Sequence, residues 1–261
     1  MRVIERCEHK YLLETTQLYQ VRNHMAACSM ELDNFSRDGP YYVRSLYFDT
    51  DDYHSVNENL GGFWGRIKLR IRSYSPEPSD RLSVELKTKR GNHSLKYSTF
   101  ITYSSYQTFM ETRHFPPNDN PVLIEFERLV HLRNLRPKVI IEYDRQGLRT
   151  ERVDNLRITF DTNIRSAAAA DLFPERPIFR THYGRGAILE IKCMGLQPRW
   201  LSSCVQQYGL KWVANSKYMQ SIALARPDLV KPSAALLRMP MGVSAQQRIY
   251  VSGSYESTTH F

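Results

Sequence analysis

Four basic side chains alternate strictly with aliphatic ones in one short run: Arg66, Lys68, Arg70 and Arg72 enclose Ile67, Leu69 and Ile71. Successive side chains of a β-strand point to opposite faces, so the run predicts a strand with one cationic and one aliphatic face. The turn-forming stretch SPEPSD (75–80) follows, and then Leu82, Val84 and Leu86 alternate with Ser83, Glu85, Lys87 and Lys89, which predicts a hairpin. A solvated face is the ordinary use of such a pattern. Here six cations, Arg66, Lys68, Arg70, Arg72, Lys87 and Lys89, face Glu85 alone, and like charges opposite one another across strands are destabilising. A face crowded in this way suits a polyanion.

The same habit recurs elsewhere. Arg6, Glu8 and Lys10 share one side of a strand over 4–13, Arg157, Thr159 and Asp161 share one side of 156–164, and Ile188, Glu190 and Lys192 share one side of 187–193. The eight histidines stand at no metal-ligand spacing to one another. Gly184-Arg185-Gly186 lacks the full spacing of a phosphate loop before a helix and reads as a turn.

The elements that must position these residues follow from the remaining pattern. Strands are expected over 4–13, 41–49, 66–73, 82–89, 94–102, 138–149, 156–164 and 187–193. Helices are expected over 15–29, 104–113, 119–134, 198–207 and 216–225, with a short helix or loop over 51–60 and a loop or helical turn at Ala167–Ala170. About eight strands with charges on one face and aliphatics on the other predict an α+β fold, a closed eight-stranded antiparallel β-barrel with a polar, basic lumen and helices packed on the outside. Such a lumen is costly unless carboxylates or a bound anion compensate its cations.

The totals agree. A chain of 261 residues, 41% hydrophobic, is ample for one large core, and 36 Lys+Arg against 27 Asp+Glu, net +9, favours anionic partners. Four cysteines without CxxC spacing predict reduced thiols instead of a disulfide scaffold or zinc site. The opening MRVIERCEHKY has no apolar signal-peptide run, so a cytoplasmic protein is expected. Past Arg226-Pro227 the periodicity fades, which predicts a domain over 1–226 and a flexible tail over 227–261. Nucleic acid is not expected, because the cations alternate within strands and do not cluster beside stacking aromatics.

The ordered motifs ERCEHKY, RSLYFDT, KLRIRSY, VELKTK, SLKYS, IEYDRQGLR, LRITFDT, LEIKC and NSKY resemble the polyphosphate polymerase (VTC, vacuolar transporter chaperone) domain of the triphosphate tunnel metalloenzyme superfamily. The resemblance runs from Glu5 to about Leu224. It implies a phosphotransferase of the ATP-polyphosphate type, with ATP and inorganic polyphosphate as partners and Mn²⁺ or Mg²⁺ as the cofactor. By position in the motifs, Arg70, Arg72, Lys87, Arg145, Arg157 and Glu190 would be catalytic. Lys10, Lys96, Tyr143, Lys192, Ser216 and Lys217 would bind substrate, and Glu190 would hold the metal. The hydrolytic branches carry ExExK on the first strand, where this chain has Arg6, Glu8 and Lys10; the lost glutamate favours the polymerase branch. A tunnel triphosphatase and a non-catalytic polyphosphate binder remain alternatives, and a membrane partner receiving the product is not visible in the sequence.

Overall fold

The computed structural model describes residues 6–28, 30–63, 65–90, 93–150, 156–194, 197–213 and 215–230. The expected tail falls, from Lys231 onward, outside the described residues. Strands β1 (Arg6–Leu13), β2 (Glu31–Leu32), β3 (Tyr41–Asp49), β4 (Gly65–Ser73), β5 (Leu82–Arg90), β6 (His93–Ile101), β7 (Arg136–Arg149), β8 (Arg157–Ala168), β9 (Arg180–Thr181) and β10 (Ala187–Met194) form one sheet. Helices α1 (Thr15–Ala27), α2 (His54–Leu60), α3 (Tyr103–Thr112), α4 (Pro121–Leu132), α5 (Arg199–Gln207) and α6 (Lys217–Ala225) complete the α+β fold.

Eight strands follow a single antiparallel path, β1-β10-β8-β7-β3-β4-β5-β6, with the two-residue strands β2 and β9 added to β7 and β8. The sheet curls strongly. Glu8 on β1, one end of the path, reaches Lys87 on β5, next to the other end, at 3.2 Å, which requires the two edges to approach around a central space. Register shifts at Tyr47/Phe48 and Glu142/Asp144 supply local twist for that curl.

The aliphatic faces are covered from outside in two patches. Leu69, Ile71, Val84 and Leu86 pack beneath α3 and α4 through Tyr106, Phe109, Leu123 and Phe126. Tyr11, Ile158, Phe160, Leu189 and Ile191 pack beneath α1 and α5 through Leu18, Val21, Leu201 and Cys204. Asn120 caps α4 by accepting from the Val122 N–H at 3.0 Å, with Pro121 at the first helical position.

Two local expectations change. Ala167 and Ala168, read as a loop, end β8 instead, because β7 continues opposite them in register (Ile140 with Ala167, Val139 with Ala168); pairing with a long neighbour overrides the weak strand preference of alanine. Helix α6 also differs from the outer helices: Tyr218, Met219 and Ile222 pack with Val43, Tyr47, Ile141, Tyr143 and Ile188, which lie on the lumen side. It packs against the inner face of the curled sheet, whose end strands β1 and β6 are not paired with each other among the described residues. Leu229 and the buried Val230 join the same cluster, just past the division drawn at 226/227.

Candidate active site in the tunnel

Antiparallel register carries one face from strand to strand. Glu8 stands opposite Lys192 and Lys192 opposite Arg157; Lys10 stands opposite Glu190 and Glu190 opposite Thr159; Asp161 stands opposite Arg145. Across the other half Tyr47 faces Arg70, Arg70 faces Glu85, Lys68 faces Lys87 and Lys87 faces Lys96. Directly opposed residues share a face, so these side chains all belong to the inner face of the curled sheet.

Buried carboxylates neutralise most of the cations. Glu85, 1% exposed, accepts from Arg70 at 2.8 Å and Lys96 at 3.0 Å, with Arg72 at 3.5 Å. Burial alone would raise its carboxyl, but Arg70, Arg72 and Lys96 outweigh that and hold it far below the usual range. Asp161 takes a two-pronged bond from Arg145 (2.6 and 2.7 Å) and a third from Lys217 at 2.5 Å. Glu8 pairs with Lys10 at 2.9 Å and Lys87 at 3.2 Å. Glu190 pairs with Lys192 at 2.8 Å and lies 3.7 Å from Arg145. It too stays ionised: burial pushes its carboxyl up, and Lys192, Lys10 and Arg145 pull it well below normal.

Lys10, Lys87, Lys192, Arg70, Arg72, Lys96, Arg145, Glu190, Ser216 and Lys217 are thus brought to one lumen. Tyr143 is buried beneath Arg145 and Lys217, whose charges sit 5.1 and 4.8 Å from its ring centre; it supports cations instead of meeting solvent. Arg157 is placed differently. Its side chain is half exposed and held by Asp33 at 3.2 Å and the Tyr41 hydroxyl at 3.3 Å, which puts it at the rim. Gly147 makes room for this anchor, since a Cβ there would fall 1.9 Å from an Asp33 carboxylate oxygen.

The motif-based reading passed over Lys68. Its ammonium donates to the Ser216 hydroxyl at 2.9 Å, the residue that caps α6, and lies 5.7 Å from the Tyr218 ring centre. Among the described residues no carboxylate pairs with it. Burial, followed by the charges of Lys10, Lys87, Arg66 and Arg70, pushes its amine down to about 7. Alternation alone marks Lys68 as lumen-facing but cannot show that its neighbours' acids are all committed elsewhere.

For a divalent cation the donor set is partial but suitable. Glu190 and Glu8 lie on adjacent strands, Glu190 opposite Lys10 and Glu8 opposite Lys192, and the Glu190 charge raises the Glu8 carboxyl. The buried Thr159 hydroxyl opposite Glu190 has no hydrogen-bond partner in the protein. Hard cations that work on phosphates take one or two carboxylates and complete their shell from substrate and water oxygens. Glu190, with Glu8 and Thr159 beside it, fits that pattern.

Among the described residues no helix is long and apolar enough to cross a membrane. No curated protein sequence matches the chain. A candidate adenylate cyclase from Bacillus halodurans is similar in structure, with TM-score 0.51 and 14% identity, covering 82% of this chain and 96% of that one. A Pyrococcus horikoshii protein (TM-score 0.46, 13% identity, 86% and 99% covered) and a candidate adenylate cyclase from Vibrio parahaemolyticus (0.46, 13%, 84% and 98%) are more distant. The family described as VTC domain matches residues 5–226. With an α+β fold whose charged register spans that same stretch, the chain belongs to the VTC domain family.

Proposed function

We propose that this tunnel transfers the γ-phosphoryl group of ATP onto the end of an inorganic polyphosphate chain. The observation that carries this reading is a lumen lined by cations from six strands and α6, with Arg157 of a seventh strand at the rim and, among the described residues, no carboxylate paired with the buried Lys68. Phosphoryl transfer is mostly alignment and charge neutralisation. Arg70, Arg72, Lys87, Lys96 and Arg145 would clamp the triphosphate, Lys10, Lys192 and Lys217 would extend the clamp, Ser216 would donate a hydrogen bond, and Arg157 would meet the chain at the rim. A divalent metal such as Mn²⁺ or Mg²⁺ on Glu190, when bound, would draw charge from the phosphate oxygens.

The acceptor, a terminal phosphate, is already ionised near neutral pH and needs no general base. That suits a lumen in which Glu8, Glu85, Asp161 and Glu190 are each held ionised by cationic partners and thus poorly suited to taking a proton from water. ATP as donor implies a cytoplasmic site of action, with any membrane partner acting on the product. The test is incubation of purified protein with ATP and Mn²⁺ or Mg²⁺, followed by separation of polymer from orthophosphate. Polymer supports the proposal; orthophosphate alone would make the tunnel a triphosphatase, and neither product would make it a binder.

A further inference from the structure

Away from the lumen, on the outer helices, His114, Glu127 and His131 bring their ligand atoms within 4.8 Å of one another. Glu127 and His131 sit one turn apart on α4 and therefore share a face. His114 arrives from the other side. Arg113 ends α3 with a left-handed φ of 65°, which turns the chain so that the His114 ring stacks on His131 with centroids 4.6 Å apart and planes at 26°.

A second layer fixes each of these groups. The Phe115 N–H donates to one Glu127 oxygen at 2.9 Å, leaving the other oxygen 2.7 Å from His114 Nδ1. His131 Nε2 stands 3.1 Å from the Arg113 carbonyl. A carbonyl can only accept, so the proton of neutral His131 resides on Nε2 and the lone pair on Nδ1. An imidazole oriented through one nitrogen by a backbone carbonyl, with the other nitrogen free, is the usual support of a metal-ligating histidine.

We propose that His114, Glu127 and His131 form a binding site for a borderline-soft divalent ion of the zinc class. Two imidazoles and one carboxylate are the donors such an ion prefers, whereas Mg²⁺ and Ca²⁺ favour all-oxygen shells. Glu127 and His131 also line a cavity of about 360 Å³ whose wall includes Asn118 and Arg128, which leaves room for water or a small anion to complete the shell. The ion would clip the loop after α3 to α4, independently of the tunnel.

The experiment uses the full chain, stripped with chelator and titrated with Zn²⁺ by calorimetry, beside His131→Ala and Glu127→Gln. His131 is exposed and Glu127→Gln keeps an acceptor for the Phe115 N–H, so both variants should fold, which near-UV circular dichroism verifies. One equivalent of Zn²⁺ is expected in the parent. Each variant should weaken binding at least tenfold, the lower end of what losing even an outer-shell partner costs (about 10- to 100-fold). Co²⁺ substitution should give a visible d–d spectrum that both variants lose. An absence of Zn²⁺ uptake, or uptake and Co²⁺ spectra unchanged in folded variants, would overturn the assignment.

Discussion

Lys68 should make the affinity proposed for a phosphate chain depend on pH, with a magnitude that follows from its surroundings. In the free protein its amine is pushed down to about 7, first by burial and then by Lys10 from β1, Lys87 from β5 and Arg66 and Arg70 on its own strand, while α6 offers it only Ser216 and the Tyr218 ring. A bound phosphate oxygen would return it toward the ordinary value near 10.4. A group whose pKa is raised by binding contributes affinity fully below its free value and loses it as pH rises toward its bound value. From pH 7.5 to 9 the protonated fraction of a lysine titrating at about 7 falls roughly 25-fold, and affinity should fall by about the same factor. The second ionisation of a phosphoryl group, near 6, is largely complete below that window. The assay is calorimetric titration with ATP in the presence of chelator, repeated in buffers of different ionisation enthalpy; about 0.9 proton should be taken up per ATP at pH 8. Lys68→Arg, which stays charged throughout, should flatten the profile and abolish the proton uptake. An equally steep fall in Lys68→Arg would refute the reasoning and move the titration to another group, with Lys87, also lowered by burial, the first to examine.

Other perturbations separate stability, binding and chemistry. Glu190→Gln should abolish metal-dependent phosphoryl transfer while metal-free ATP binding persists or tightens, since the variant loses a carboxylate that repels phosphate; near-normal turnover would remove Glu190 as metal ligand and point to Glu8 or Glu85. Glu85→Gln strips the shared counter-ion from Arg70, Arg72 and Lys96 and should cost about 3–5 kcal/mol of stability. Added tripolyphosphate should raise its Tm by more than that of the parent, and an equal or smaller shift would mean that Glu85 does not stand in for substrate charge. A chain ending after Val230 should melt with the full chain, whereas one ending after Arg226 loses buried Val230 and its packing on α6, about 1.5–3 kcal/mol; equal Tm values for both would support the boundary at 226.

Period-two alternation was enough to identify the strands, their cationic faces and the α+β class, because it depends only on neighbouring residues and on the geometry of an extended chain. Lys10, Arg70 and Glu190 were therefore legible as members of the charged side of their own strands before any fold was known, whereas Arg145 was marked only by its motif. Their partners were not. Which acid neutralises which cation depends on register and curl: Arg70 finds Glu85 fifteen residues away, but Lys87 finds Glu8 across 79 and Lys10 reaches the Asn215 carbonyl across 205. Lys68 looks like any other cation of its strand until the curl of the sheet shows, among the described residues, no carboxylate paired with it. The same limit applies to α6, whose apolar spacing predicts a helix but cannot tell an outer layer from an inner one, and to His114, which histidine spacing alone separates from His131 and which a left-handed turn at Arg113 brings back. Local pattern determines what each element is and which of its sides is charged; only the wrapped sheet, by bringing distant sides within hydrogen-bond reach, decides which charges remain free to meet a substrate.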